Sequence, residues 1–160
     1  MRERGIYIEF NWQDCSPRKL WEVINEINLD SLVWYNAVEQ AETYSATDRE
    51  EHFTDERYDG VQLARDFADV DSILFLKLQG YDAGSTVETV KPGNIVTFDE
   101  FEASSCKAVV LIVDCYELTI YIKGDEEQLE RIRKKAIDSG CRECRILTDE
   151  NDGRTGMNIR

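Results

Sequence analysis

The fold is decided by the stretch KAVVLIVDCYELTIYIKG, residues 107–124. Its first part, 107–115, is a continuous apolar run, which is typical of a central strand that is covered on both faces. Its second part, 117–124, alternates between apolar and polar residues and therefore predicts a strand with one buried face. Because only Cys115 and Tyr116 separate the two runs, we expect them to form a β-hairpin.

A helix and one more strand are predicted after this hairpin. Asp125 is a suitable N-cap, and Gln128 three residues later completes a weak capping box. The apolar residues at helical spacing that we expect to be buried are Leu129, Ile132, Ala136 and Ile137. Gly140 is expected to end the helix in the left-handed conformation, and residues 141–149 then form a final short strand.

The beginning of the chain predicts a strand, a helix and further strands. Residues 4–12 alternate around apolar positions and predict a strand. Ser16 as N-cap and Pro17 as first helical residue open a helix. The apolar stripe of this helix is formed by Leu20, Val23, Ile24 and Ile27. Residues 31–46 are rich in β-forming residues and predict one or two strands.

The middle of the chain is less regular. Residues 47–60 contain six acids and little to bury, so we expect a loop or an exposed hairpin tip. After Gly60, a short helix is expected to turn four residues inward, namely Val61, Leu63, Ala64 and Phe67. A buried strand is predicted at 72–81 and a long connection at 82–96. A short helix follows, with Thr97 as N-cap and Glu100 three residues later.

These elements predict an α+β fold in one domain, residues 1–160. We expect a single mixed or antiparallel sheet of about five or six strands with helices mainly on one face. Residues 156–160, GMNIR, are expected to form an unordered tail.

The charge of the chain restricts its partners. Its 160 residues include 33 acidic and 19 basic ones, for a net charge of -14. Phosphate backbones and anionic membranes require a basic surface, so we expect no direct nucleic-acid or membrane binding. A basic protein partner is compatible with this charge, and so is solubility alone. The acidic segment 47–59, with Asp66, Asp69 and Asp71, could form one anionic face.

Localisation is predicted from what the sequence lacks. No stretch reaches the roughly 18 to 20 apolar residues of a membrane span, and the first residues lack the apolar core of a signal peptide. We therefore expect a cytoplasmic protein whose five cysteines are reduced thiols. The sequence leaves the oligomeric state open.

The stretch LTDENDGRTG, residues 147–156, is the densest cluster of polar side chains near the end of the chain. It does not fit an EF-hand loop, because a loop begun at Asp149 places Gly153 at position five. A magnesium site needs only one or two carboxylates, which Asp149 and Asp152 could supply, with Arg154 binding a phosphate. The alternative to a magnesium site is a simple turn formed by residues 151–153.

Other candidate sites have simpler interpretations. Cys141 and Cys144 form a CxxC motif, but residues three apart on a strand point to opposite faces, so we interpret them as ordinary thiols rather than a zinc or redox site. His52, the only histidine, lies in the acidic loop and could act as a base, although no nucleophile can be paired with it. The basic residues of helix 125–139 follow an acidic first turn, which suits the helix dipole; a phosphate-binding patch is the alternative interpretation.

Three stretches, RGIYIEF at 4–10, VVLIVDCYELTIYIKG at 109–124 and LTDENDGRT at 147–155, carry a resemblance to a known family. They resemble a family of small uncharacterised proteins from spore-forming Gram-positive bacteria, catalogued as a domain of unknown function. The resemblance implies no catalytic residue. It marks the third stretch, LTDENDGRT, as the best candidate binding site. The residues of that candidate site are Asp149, Glu150, Asn151, Asp152, Arg154 and Thr155.

Two functional hypotheses follow. The first is a non-enzymatic acidic binding protein, such as an immunity or inhibitor protein or a phage-conflict protein, that acts on a basic protein partner and needs no cofactor. The alternative is a magnesium-dependent enzyme or sensor for a nucleotide or other phosphate ligand, in which Asp149 and Asp152 hold Mg²⁺ and Arg154 holds the phosphate.

Overall fold

Eight strands and four helices are formed by the residues that the computed structural model describes, which are 2–27, 32–36, 41–44, 52–84, 94–123, 126–154 and 156–158. The strands are β1 (Glu3–Glu9), β2 (Leu32–Asn36), β3 (Glu42–Tyr44), β4 (Arg57–Tyr58), β5 (Ser72–Asp82), β6 (Ala108–Val113), β7 (Glu117–Ile122) and β8 (Glu143–Thr148). The helices are α1 (Pro17–Ile24), α2 (Gly60–Asp69), α3 (Phe98–Ala103) and α4 (Glu126–Asp138). None of these helices has the length and apolar character that crossing a membrane requires.

All strands join one sheet, in which every pair is antiparallel. The order is β4-β2-β5-β6-β7-β1-β8, and β3 pairs with the first part of β5. The predicted α+β class is confirmed, but the sheet has more strands than the five or six expected. β2 and β3 both lie within 31–46, where one or two strands were expected, whereas β4 lies in the segment expected to be a loop and is too short to show an alternation.

The predicted hairpin is present as β6 and β7. Val113 pairs with Glu117, so three residues form the connection rather than two. Asp114 and Cys115 both have positive φ values, 54° and 71°, in the left-handed region that allows a tight reversal. β6 is buried along 108–112, as expected for a central strand that is covered on both faces.

Helices α1, α2 and α4 cover the first face of the sheet. α2 packs on α1, β2 and β4, whereas α4 packs on α1, β1 and β8. The strand residues that this face buries include Ile6, Ile8, Leu76, Leu78, Val110, Ile112, Leu118 and Ile120. Phe67 of α2 contacts two further aromatic rings, with its centroid 5.0 Å from that of Trp21 and 5.1 Å from that of Phe53.

The second face is covered by α3, by the segment before it and by the end of the chain. The residues that form its smaller core are Tyr81, Ile95, Phe101, Cys106, Val109, Leu111, Tyr121, Leu147 and Met157. The tail that was expected to be unordered is described at 156–158, where Met157 is buried and its N–H donates to the carbonyl of Val96 at 2.7 Å. Residues 159–160 lie outside the described part.

The helix boundaries follow the predicted capping residues. Ser16 caps α1 by accepting the N–H of Lys19, and Thr97 forms a capping box with Glu100 at α3. Gly140 has a φ of 80° and ends α4. The N–H of Cys141 donates to the carbonyl of Ala136, which completes a Schellman motif. The predicted cap at Asp125 lies outside the described residues.

Three burial predictions are wrong. Val61, which was expected to face inward, is 79% exposed because α2 buries the opposite side of its first turn through Leu63. Ile137 is 50% exposed because it lies beside the buried stripe of α4 rather than within it. The acidic segment 47–60 buries more than expected: its described part contains β4, and both Phe53 and Tyr58 are buried.

Candidate functional site

A cleft of about 320 Å³ opens on the second face, between α3 and the end of the chain. We call it the arginine cleft, and its lining residues are Arg4, Thr97, Phe98, Asp99, Tyr121, Asp152, Arg154, Gly156 and Met157. Its volume is at the lower end of the range of about 300–1,000 Å³ that is common for small-molecule sites. A neighbouring groove of about 610 Å³ is lined by acidic, basic and apolar residues from β1, α3, β7 and α4.

A β-bulge in β1 turns Arg4 into this cleft. Glu3 pairs with Thr148 and Gly5 pairs with Leu147, so Arg4 is an extra residue that opposes none. The guanidinium carbon of Arg4 lies 4.1 Å from the centre of the Phe98 ring, a cation–π contact on the second face. Gly5 makes this backbone path possible, because a Cβ there would overlap the backbone carbonyl of Ile120.

Asp152 joins the two sides of the cleft. One of its oxygens accepts the O–H of Tyr121 at 2.9 Å and lies 3.8 Å from Nη1 of Arg4. Its other oxygen accepts the backbone N–H of Arg154 at 3.1 Å. Burial, and secondarily the carboxylate of Asp152, raises the pKa of Tyr121 well above its usual value of 10. Tyr121 therefore stays protonated at neutral pH and donates to Asp152.

The side chain of Arg154 lines the cleft and makes only long hydrogen-bond contacts with the described residues. Its Nη1 lies 3.5 Å from the carbonyl oxygen of Gly156 and 3.4 Å from that of Asn158. Within the described part of the chain, no carboxylate forms an ion pair with it. Its guanidinium thus keeps donors available for an anion in the cleft.

The structure separates the predicted site residues. Asp152 and Arg154 lie in the arginine cleft, whereas Asp149 and Glu150 are exposed in the turn after β8. Asn151 has a structural role, because its side chain accepts the N–H of Thr148 at 2.7 Å and donates to the carbonyl of Ile146 at 3.0 Å. The remaining predicted residue, Thr155, lies outside the described residues.

The two carboxylates of the predicted magnesium site have different partners. Asp149 accepts the backbone N–H of Arg2 at 3.1 Å, and this hydrogen bond lowers the pKa of its carboxyl group. Asp152 faces Tyr121 and Arg4 instead. The described residues contain no group of three or more His, Cys, Asp or Glu side chains that could hold a metal ion. The two carboxylates of the predicted site thus have separate hydrogen-bond partners.

A buried polar pair lies behind the cleft, on β5. The ammonium of Lys77 donates to the carbonyl of Ile95 and to the side-chain oxygen of Asn158 at 3.4 Å. Gln79 accepts the N–H of Ile95 at 2.8 Å and donates to the hydroxyl of Tyr81 at 3.0 Å. Burial lowers the pKa of Lys77 to about 8. The sequence contained a signal for this pair, since both residues alternate with leucines inside an apolar strand.

The cysteines are placed differently from what we expected. Cys141 precedes β8 rather than lying on the strand, and both Cys141 and Cys144 pack against the core of the first face. The prediction that the two side chains point apart is therefore wrong. Burial raises the pKa of Cys15, Cys106 and Cys144 to about 11, so few of these thiols are ionised at neutral pH.

A second feature is an acidic surface around α2 and β4. We call it the acidic face, and its residues are Asp55, Glu56, Asp59, Asp66, Asp69 and Asp71. All of them except Asp66 are exposed. The exception, Asp66, accepts the N–H of Phe53 at 3.1 Å and so holds the loop in place. Residues 47–51, which were expected to contribute, lie outside the described residues.

Two neighbours define the edges of the acidic face. Tyr44, at the end of β3, is 60% exposed, and its carbonyl accepts the N–H of Asp71 at 3.1 Å. His52 lies at the start of the described loop and is partly exposed.

The charge order predicted for α4 is confirmed. Glu126 and Glu127 occupy its first turn and Lys135 its last turn, as the helix dipole favours.

Comparisons with known proteins agree with the resemblance predicted from the sequence. The Bacillus subtilis (strain 168) protein described as "Uncharacterized protein YncE" is 30% identical over 86 residues, which are 54% of this chain and 52% of that protein. The matched region thus spans about half the length of this curated relative. No solved structure matches the chain. The family model described as "Protein of unknown function (DUF2691)" matches residues 3–158, and the chain therefore belongs to this family.

Proposed function

We propose that the protein is a non-enzymatic cytoplasmic binding protein whose acidic face recognises a basic protein partner, as an immunity, inhibitor or phage-conflict protein would. The observation that carries this proposal is the exposed Tyr44 beside the acidic face. Aromatic side chains often supply most of the energy at interfaces, whereas the charges around them favour particular partners.

The charge of the acidic face supports this assignment. Between His52 and Asp71 the chain has six carboxylates but only two arginines, Arg57 and Arg65. A surface of one sign accelerates the approach of an oppositely charged protein, and this effect is screened beyond about 8 Å at physiological ionic strength. The net charge of -14 adds to the same long-range attraction.

The reactive groups of the described residues support a non-enzymatic role. Burial raises the pKa of Cys106 to about 11 and makes its thiol a poor nucleophile at neutral pH. The buried hydroxyl of Tyr121 has a raised pKa and is directed at a carboxylate rather than at open space.

The test compares two variants with the same change in charge. The first neutralises the acidic face with Asp55→Asn, Glu56→Gln and Asp69→Asn. The control neutralises α4, which lies away from α2, with Glu126→Gln, Glu127→Gln and Asp138→Asn. Immobilised wild-type protein should retain a basic protein from a Bacillus lysate at low ionic strength and release it at high ionic strength.

The acidic-face variant should lose this protein, whereas the α4 variant should keep most of it. Equal loss from the two variants would show that net charge, and not the acidic face, causes the retention. Retention that is unaffected by salt would exclude charge-driven recognition altogether.

A second candidate function, binding of a phosphate ligand, is favoured by the position of Arg154. Its side chain lines a cleft together with Asp152, as the phosphate hypothesis requires. In the magnesium-dependent form of this hypothesis, Asp149 and Asp152 hold Mg²⁺. A thermal-shift screen with nucleotides should then give a magnesium-dependent stabilisation that both Asp149→Asn and Asp152→Asn abolish. No stabilisation of the wild-type protein, or equal stabilisation of the variants, would exclude that form.

A further inference from the structure

We propose that the arginine cleft binds the phosphate group of a small phosphorylated compound directly, through Arg4 and Arg154 and without a metal ion. This inference rests on the second candidate function and specifies its ligand and its binding groups. The two arginines come from opposite ends of the chain, and the fold brings both side chains to the same cleft.

Both guanidinium groups have donors that the described residues leave unused. The Nε of Arg4 is buried, and no acceptor in the described part of the chain hydrogen-bonds to it. Arg4 approaches Asp152 only at 3.8 Å, which is longer than a hydrogen bond. Arg154 has two long contacts with carbonyl oxygens and no carboxylate partner among the described residues. An anion between the two arginines would satisfy these donors.

The lining of the cleft contains two aspartates as well as the two arginines. Asp152 is engaged by the hydroxyl of Tyr121 and by the backbone N–H of Arg154, so its negative charge is already stabilised. The other aspartate, Asp99, is exposed at the rim of the cleft. Behind the cleft, the buried side chain of Lys77 hydrogen-bonds to Asn158, whose carbonyl oxygen lies 3.4 Å from Nη1 of Arg154. The charges of the lining are therefore balanced, and the unused donors of Arg4 and Arg154, rather than a net positive charge, favour an anion.

The shape of the cleft limits the size of the ligand. A volume of about 320 Å³ suits a small phosphate monoester better than a nucleotide. Phe98 and Met157 give the cleft an apolar wall. An organic group attached to the phosphate would contact this wall, whereas inorganic phosphate would use the arginines alone.

The probes for the test are inorganic phosphate and phenyl phosphate, each with EDTA and then with added Mg²⁺. The thermal midpoint is compared with that in sodium chloride of equal ionic strength, because any salt stabilises a protein of this charge. We expect both probes to raise the midpoint in EDTA, and phenyl phosphate to bind more tightly. Arg154→Gln and Arg4→Gln should each weaken binding about tenfold or more. Arg142→Gln, which changes an exposed arginine at the other end of β8, should bind as the wild type does.

A measurement on the wild-type protein covers the case in which an arginine variant fails to fold. Phenylglyoxal modifies accessible arginines, and peptide mass spectrometry locates the modified residues. Phosphate should protect Arg4 and Arg154 from this reagent and leave Arg142 unprotected.

Three results would overturn the proposal. Binding that requires Mg²⁺ and is lost in Asp149→Asn would retain the phosphate function but exclude the metal-free arginine site. Binding that is unchanged in Arg154→Gln and Arg4→Gln would place the ligand elsewhere. If neither probe binds with or without Mg²⁺, the phosphate function and the arginine site both fail.

Discussion

The buried amine of Lys77 should make a contribution to the stability that increases from neutral to mildly alkaline pH. Its side chain is fully buried, and this burial lowers its pKa from 10.5 to about 8 in the folded protein. Between these two values the unfolded chain keeps a proton that the folded chain has released. The free energy of unfolding therefore rises with pH in this range, and the cost of the buried charge is fully present only below about pH 8.

The size of this effect follows from the two pKa values. Each pKa unit corresponds to about 1.4 kcal/mol, so the complete change is on the order of 3 kcal/mol. Burial raises the pKa of Cys15, Cys106 and Cys144 to about 11, and these thiols lower the stability above about pH 8 because the unfolded chain ionises first. Tyr58, whose pKa burial raises to about 12, acts in the same direction above about pH 9. Between about pH 7 and pH 9, the contribution of Lys77 alone is about 1 kcal/mol.

Urea unfolding of the wild type, Lys77→Met and Lys107→Met isolates the contribution of Lys77. The wild type should gain about 1 kcal/mol between about pH 7 and pH 9 relative to Lys77→Met, which has no amine at this position. Lys107→Met changes an exposed lysine nearby and should show the pH dependence of the wild type. If Lys77→Met and the wild type have parallel pH profiles, the folded-state pKa of Lys77 is not lowered and the argument from its burial is wrong.

Three further predictions concern the backbone and the thiols. Gly140→Ala should lower the free energy of unfolding in urea by about 1 kcal/mol, because Gly140 has a positive φ that alanine adopts only with strain. Gly153→Ala, the control, should change it by less than about 0.5 kcal/mol, and equal effects of the two variants would contradict this account. Gly5→Ala should cost about 1–3 kcal/mol in the same assay, because its Cβ would overlap the carbonyl of Ile120, and a neutral change would contradict this close approach of β1 to β7. Cys106 should be the slowest of the five thiols to react with iodoacetamide in the folded protein, as read by mass spectrometry, and fast labelling would contradict its burial.

The sequence predicted those elements whose pattern is local. The apolar run and the alternation of 107–124 specify a hairpin, and Ser16 and Thr97 specify helix starts through their own side chains. β4 could not be predicted in this way, because two residues cannot establish an alternation. Its existence depends on the burial of Phe53 and Tyr58 against distant parts of the chain.

The candidate site could be predicted only in part. Asp152 and Arg154 were recognised as polar residues near the end of the chain, and both lie in the arginine cleft. Arg4 was missed, because regular alternation places it on the same face as Ile6, and only the bulge turns it to the other face. Tyr121 was assigned to the correct strand, but its partner is 31 positions away, a distance at which no sequence spacing is informative.

The measurement that tests the central claim most directly is amide hydrogen exchange of the protein, alone and with the basic partner that it retains. The central claim is that the acidic face is the binding surface. The account predicts slower exchange on binding in β3, in residues 52–59 and in α2, and little change around the arginine cleft. Protection confined to residues 94–106 and 150–158, with none in α2, would contradict it.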